Sequence, residues 1–217
     1  MQVHIIKKDV KSINIKVKPN CEVILTAPTK TSKEHIAVVL KKREKWIDKK
    51  IAYFKEHQQK ESKEYVSGEN FLYLGRNYRL KVIESTHECV KLQRGYLYLS
   101  VRDKDDFRRK EKLVKSWYTD KAKIHFQKAL KKYQPVVGIA IKNVSIREMK
   151  TRWGSCNASK SYINLNSLLI QKPTRCIEYV VFHELAHLVH PNHSRLFYNY
   201  LSIHMSDWKS RKEKLEN

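Results

Sequence analysis

The constraint that bears hardest on this chain is one apolar run, Tyr179-Val180-Val181-Phe182-His183-Glu184-Leu185-Ala186-His187-Leu188. It sets H-E-x-x-H inside a helical segment. Residues four apart on a helix lie one above the other on the same face. His183 and His187 therefore present two imidazoles to one tetrahedral ion. Glu184, one step round, can take a proton from water held at that ion. A third donor is needed that leaves the fourth position open. His193, six residues past His187, is the best placed. Motifs with a third histidine at this spacing carry glycine where the chain turns. Here His190 stands at that position, and Pro191 behind it disfavours helix, so a turn is still expected. Competing donors are Asp207, the tail residues Glu213 and Glu216, and a thiolate from Cys156 or Cys176. The alternative to a metal site is a buried helix with two ordinary histidines.

A chain of 217 residues is long enough for one large domain or two small ones. Its apolar runs fall short of the roughly 20 residues that a membrane span needs, so no membrane partner is expected. The first residues show neither a long apolar segment nor a small-residue cleavage site. Cys21, Cys89, Cys156 and Cys176 are scattered, with no C-x-x-C pair, which reads as reduced thiols and a cytoplasmic location. The formal charge of +23 favours an anionic partner such as nucleic acid, a nucleotide or an acidic protein. A solvated lysine-rich surface explains the same number, because the lysines are spread along nearly the whole chain.

Residues 3–6, 13–17 and 23–25 read as three short antiparallel strands around the turn residues Pro19 and Asn20. Thr31 and Glu34 form a capping-box signature. A basic amphipathic helix follows to about Lys60, burying Ile36, Leu40, Ile47, Ile51 and Phe54. Its Lys41-Lys42-Arg43 face could bind phosphates. Two hairpins are expected, residues 71–74 with 78–83 around Gly75, and residues 90–92 with 96–101 around Arg94-Gly95. A second long helix begins at Asp105-Asp106, buries Phe107, Val114, Trp117, Tyr118, Phe126 and Leu130, and ends at Pro135. Residues 139–141 with 144–146, 152–156 and 162–165 read as three strands. Pro173-Thr174 opens the H-E-x-x-H helix, and another helix starts at Ser194. The expected class is α+β. An N-terminal β-rich unit with one long basic helix covers 1–104, and a minimal zincin-like core covers 105–217. That core comprises a small mixed sheet, the H-E-x-x-H helix and a trailing helix. Its sheet leaves an edge strand beside the metal that an extended peptide could join.

Several segments together resemble the YgjP-like metallopeptidase family, a predicted zinc-hydrolase family distantly similar to the SprT and WLM proteases. They are Met149-Lys150-Thr151-Arg152-Trp153-Gly154-Ser155-Cys156, Ile163-Asn164-Leu165-Asn166, the H-E-x-x-H run, and Asn192-His193-Ser194 with Phe197. The strand–turn–strand start, Trp46-Ile47 and Phe71-Leu72-Tyr73-Leu74-Gly75 are similar too. Tyr198 departs from a common tryptophan, and residues 157–161 lack a common glycine. The resemblance implies Zn2+ on His183, His187 and His193, with Glu184 as general base. It implies a peptidase, and it also carries an attributed activity on nucleoside triphosphates that releases pyrophosphate.

Three readings are therefore open. The first is a zinc metallopeptidase using activated water. The second is a nucleoside triphosphate pyrophosphohydrolase at the same site, taking Mn2+ or Mg2+ and using Arg152 against phosphate. The third is a nucleic-acid-associated protein with structural zinc, which would normally need four protein ligands. Arg152 and Trp153 are the candidate substrate-binding residues. Each has a plain structural alternative: an ion pair for Arg152, core packing for Trp153. Gly154 reads as a close backbone approach or a bulge. His190 reads as a turn residue and His204 as an ordinary helix histidine.

Overall fold

The computed structural model describes residues 3–10, 12–18, 20–58, 63–149 and 151–216. Pro19, Lys60 and Lys150, and the side chain of Phe54, lie outside the described residues. The chain divides into two compact units, Met1–Ser62 and Lys63–Asn217.

In the first unit, strands β1 (Val3–Lys8), β2 (Asn14–Val17) and β3 (Val23–Pro28) precede helix α1 (Lys33–Gln58). Val23, Leu25 and Ala27 alternate along β3 and are fully buried, which is why β3 takes the centre of the sheet. The chain reverses between β1 and β2 and again between β2 and β3, so β1 and β3 point the same way. With β3 between the other two, β1 pairs with it in parallel, and only β2–β3 is the antiparallel pair expected. Ile36 and Ile47 of α1 pack on this sheet. Ser32 caps the helix by accepting from the His35 amide at 3.2 Å.

The second unit opens with β4 (Asn70–Tyr73), β5 (Arg76–Glu84), β6 (Cys89–Gln93) and β7 (Tyr96–Val101). They form both expected hairpins, in the order β4-β5-β7-β6, with β5 and β7 parallel. Leu74-Gly75 and Arg94-Gly95 carry the positive φ values that two-residue hairpin turns of this hand require. Helix α2 (Phe107–Val137) starts where Asp106 accepts from the Arg109 amide. It does not stop at Pro135. That residue sits in the last turn, and Gly138 ends the helix at φ 69° by donating to the Gln134 carbonyl. Phe107 is 45% exposed rather than buried.

Strands β8 (Asn143–Arg147), β9 (Gly154–Asn157) and β10 (Tyr162–Asn166) form a second small mixed sheet, β8-β10-β9, with β9 at one edge. Residues 139–141 and 152–153 lie outside its strands. A short 3-10 helix (Ser167–Gln171) leads into α3 (Thr174–Val189), then α4 (Arg195–His204) and α5 (Trp208–Glu216). The charged tail is thus helical, anchored by buried Trp208 and Leu215. The fold is α+β. No helix among the described residues is long and apolar enough to cross a membrane.

The boundary expected after residue 104 falls inside a single core. Leu80, Leu97, Leu99 and Val101 of the four-stranded sheet share one buried cluster with Trp117, Phe126, Val180 and Phe182. The Leu74 and Gly75 amides also donate to the carbonyls of Ile170 and Gln171 at 3.0 Å. The β4–β5 turn thereby holds the start of α3. A Cβ on Gly75 would lie 2.6 Å from Pro173 Cγ, in backbone that already has φ +78°. Gly75→Ala is expected to cost about 2 kcal/mol or more of unfolding free energy, measured by urea denaturation.

Candidate metal centre

Helix α3 is buried on most of its circumference. Cys176, Ile177, Val180, Val181, Phe182, Leu185 and Ala186 are at most 4% exposed. Helix α2 packs against it, and so does β9. His183 and His187 occupy the remaining stripe. The helix ends at His190, which takes an extended conformation ahead of Pro191. The chain then turns back, and Ser194 starts α4 by accepting from the Phe197 amide. That turn brings His193 over the helix, with its Nε2 3.0 Å from Nε2 of His183. Ring centroids of His187 and His193 are 4.6 Å apart. One ligand atom from each of the three histidines lies within 4.8 Å of the other two. Phe197, fully buried, sits 5.0, 4.6 and 4.9 Å from the three rings and packs them into one another.

The donor chemistry fits a divalent metal. His187 Nδ1 is 3.2 Å from the His190 carbonyl, which can only accept, so Nδ1 carries the proton and Nε2 keeps its lone pair. Burial, then the neighbouring histidines, pushes His183 down to about 3, and burial also lowers His187. Both rings are thus neutral, as ligands must be. Nδ1 of His183 is buried with no protein partner. The ring's other nitrogen, Nε2, is the one that faces His193 in the cluster.

Glu184 is 6% exposed, and burial raises its pKa to about 8, with Arg152 opposing the rise. Gly154 makes room for it. A Cβ there would stand 2.6 Å from Glu184 Oε1 and 2.7 Å from Cγ. Gly154 therefore serves the close approach of a side chain, Glu184. Arg152 is exposed yet within electrostatic reach of Glu184, and Trp153 is half-buried against the core. Burial pushes the Cys156 thiol up to about 11, helped by Glu184, and also raises Cys176. Both stay thiols, and neither joins the histidines. Asp207 accepts from Arg211 at 2.8 Å instead of turning to the site. Glu216 lies 4.0 Å from Lys212. His190 and His204 pack on Tyr200, as turn and helix histidines.

The roles of two supporting residues escaped sequence reasoning. Asn166 is 3% exposed and ties down the segment ahead of Gly154. Its Nδ2 donates to the carbonyls of Met149 and Arg152, and its Oδ1 accepts from the amides of Met149 and Leu168. The available signal was a polar residue directly following the apolar alternation of Ile163 and Leu165. Glu178 links three helices. It accepts from Lys132 and Tyr133 of α2 and from Arg211 of α5.

Asn166→Ala should lower unfolding free energy by about 2 kcal/mol, because it strands buried backbone groups. Chemical denaturation reads this directly. Burial pushes the Glu178 carboxyl up, but hydrogen bonds from Arg211 and Lys132 outweigh it and hold the pKa below the ordinary glutamate value. The folded value then lies under the unfolded one. The pairing stabilises the fold above the ordinary glutamate pKa and is lost as pH falls through the folded value. Urea titrations across the acid range should show Glu178→Gln less stable at neutral pH, with a shallower acid decline.

No curated protein sequence matches the chain. Two solved metallopeptidase zymogens are similar to it. Abylysin of Pyrococcus abyssi shares 20% identity over 42% of this chain and 90% of its own, with a TM-score of 0.38. Jannalysin of Methanocaldococcus jannaschii shares 21% over 43% and 86%, with a TM-score of 0.36. At that distance neither likeness transfers anything to this chain. The family described as YgjP-like, metallopeptidase domain, matches residues 11–217, nearly the whole length. The chain belongs to the YgjP-like metallopeptidase family and is a metal-dependent hydrolase.

Proposed function

We propose that the protein is a zinc metallopeptidase in which His183, His187 and His193 hold the ion and Glu184 is the general base. The observation that carries this reading is the convergence of three imidazoles beside a buried carboxylate. The donors found among the described residues number three, as in an open catalytic site, whereas a structural zinc takes four. When bound, a zinc ion polarises a carbonyl and acidifies water. Glu184 is suited to accept a proton from the attacking water and deliver it to the leaving amine nitrogen. Its raised pKa places proton gain and loss close to neutral pH.

Strand β9 supports a peptide as substrate. The Asn166 amide donates to the Trp153 carbonyl, so by antiparallel alternation Ser155 and Asn157 also face β10. The N–H and C=O groups of Gly154 and Cys156 then point to the open edge. An extended substrate can pair with them, and Gly154 lies against Glu184. In this reading Arg152, exposed just ahead of this edge, meets a substrate carboxylate, and Trp153 an apolar side chain. The family's peptidase character favours this substrate class over nucleotides.

The test offers zinc-loaded protein an unstructured polypeptide and a nucleotide panel. Polypeptide cleavage is expected. Glu184→Gln should reduce it by about 100-fold or more with zinc content unchanged. His193→Ala should lower bound zinc, read by elemental analysis. Nucleotide turnover without peptide cleavage would overturn the proposal, as would full zinc content in His193→Ala.

A further inference from the structure

The outer face of the four-stranded sheet carries a pattern that neither the core nor the metal centre uses. Strand register places Arg79, Tyr96 and Gln93 in one row, Lys81, Tyr98 and Lys91 in the next, and Ile83, Ser100 and Cys89 in a third. The intervening residues Leu80, Leu97 and Leu99 are the ones buried in the core. These rows therefore share the opposite face. Tyr96 and Tyr98 stand side by side on β7, ring centroids 6.3 Å apart. Lys81 Nζ lies over both, at 3.8 and 5.6 Å. Arg94 in the β6–β7 turn completes the surround, and a depression of about 320 Å³ opens between Ile83, Lys91, Arg94 and Tyr98. The three rows contain no aspartate or glutamate.

We propose that this face binds single-stranded nucleic acid, with bases stacked on Tyr96 and Tyr98 and phosphates on Arg79, Lys81, Lys91 and Arg94. Adjacent rings on a sheet, two residues apart and flanked by cations, match the spacing and charge of unpaired bases on a phosphate backbone. A duplex keeps its bases stacked internally and has no use for the rings. An acidic polypeptide would answer the cations but leave both tyrosines unengaged. Lys81 lies over the Tyr96 ring, and its transfer to a phosphate on binding would open that face for stacking. The arrangement rests on the sheet alone and stands whatever the metal centre cleaves.

The experiment is fluorescence anisotropy of labelled oligouridylate and oligothymidylate with the full chain across a salt series. Tyr98→Ala should weaken binding about tenfold, and Tyr98→Phe should retain it, since stacking needs the ring and not the hydroxyl. Lys81→Ala and Lys91→Ala should each reduce the salt slope by about 0.7. Lys41→Ala with Lys42→Ala on α1 should change affinity by less than about twofold. The proposal is overturned if Tyr98→Ala binds like the wild type, or if the α1 changes account for the loss. Equal competition by duplex or polyglutamate overturns it as well. Should Tyr98→Ala fail to fold by circular dichroism, an unaltered salt slope in Lys91→Ala overturns it instead.

Discussion

Everything at the metal centre depends on how completely helix α3 is enclosed. Val181, Phe182, Leu185 and Ala186 are fully buried, and each large one contributes roughly 1.5–3 kcal/mol by leaving water. That apolar contact outweighs the cost of placing a carboxylate and two imidazoles beside it, which runs to a few kcal/mol for Glu184 alone. Enclosure also sets the chemistry. The burial that holds the helix in place strips water from His183 and Glu184, keeping one ring neutral and moving the carboxyl into the neutral range.

The surroundings of α3 are divided between rigid packing and polar clamps. The β4–β5 turn meets its N-terminal end through Gly75 and Pro173. Glu178 ties its exposed shoulder to α2 and α5. Asn166 fixes the segment that delivers Gly154 to Glu184. Each clamp consumes polar groups that would otherwise be unsatisfied, so the helix is positioned by directional bonds as well as by area. Phe197 does the equivalent for the histidines, because its ring touches all three and leaves them little rotational freedom.

Both small sheets in this unit leave backbone or side chains outside the main core. In β8-β10-β9 the edge strand β9 packs on the metal helix, with the backbone groups of Gly154 and Cys156 turned away from β10. In β4-β5-β7-β6 one face closes the main core while the other gathers cations around two tyrosines. The high net charge, spread along the sequence, is thus locally organised on at least this face.

Much of this was legible in the residues themselves. The i, i+4 spacing of His183 and His187, the turn forced by Pro191 and the position of His193 predict a three-imidazole cluster from local rules alone, because helix period and proline sterics act over a few residues. The hairpin turns at Gly75 and Gly95 and the cap at Asp106 were equally local. What the chain order concealed was long-range. That β1 would pair in parallel with β3 depended on which strand took the sheet's centre. That residues 70–101 belong with α2 and α3 depended on a core shared across more than a hundred residues of chain. Gly154 read as a close backbone approach or a bulge, and only the fold set Glu184 against it. Asn166 gained its role only when Met149 and Arg152 were brought within hydrogen-bonding reach. Sequence determined which groups could bind a metal, since donor chemistry and helical spacing are properties of neighbouring residues. Tertiary structure alone decided how those groups are held, neutralised and exposed, since burial and packing come from residues far apart along the chain.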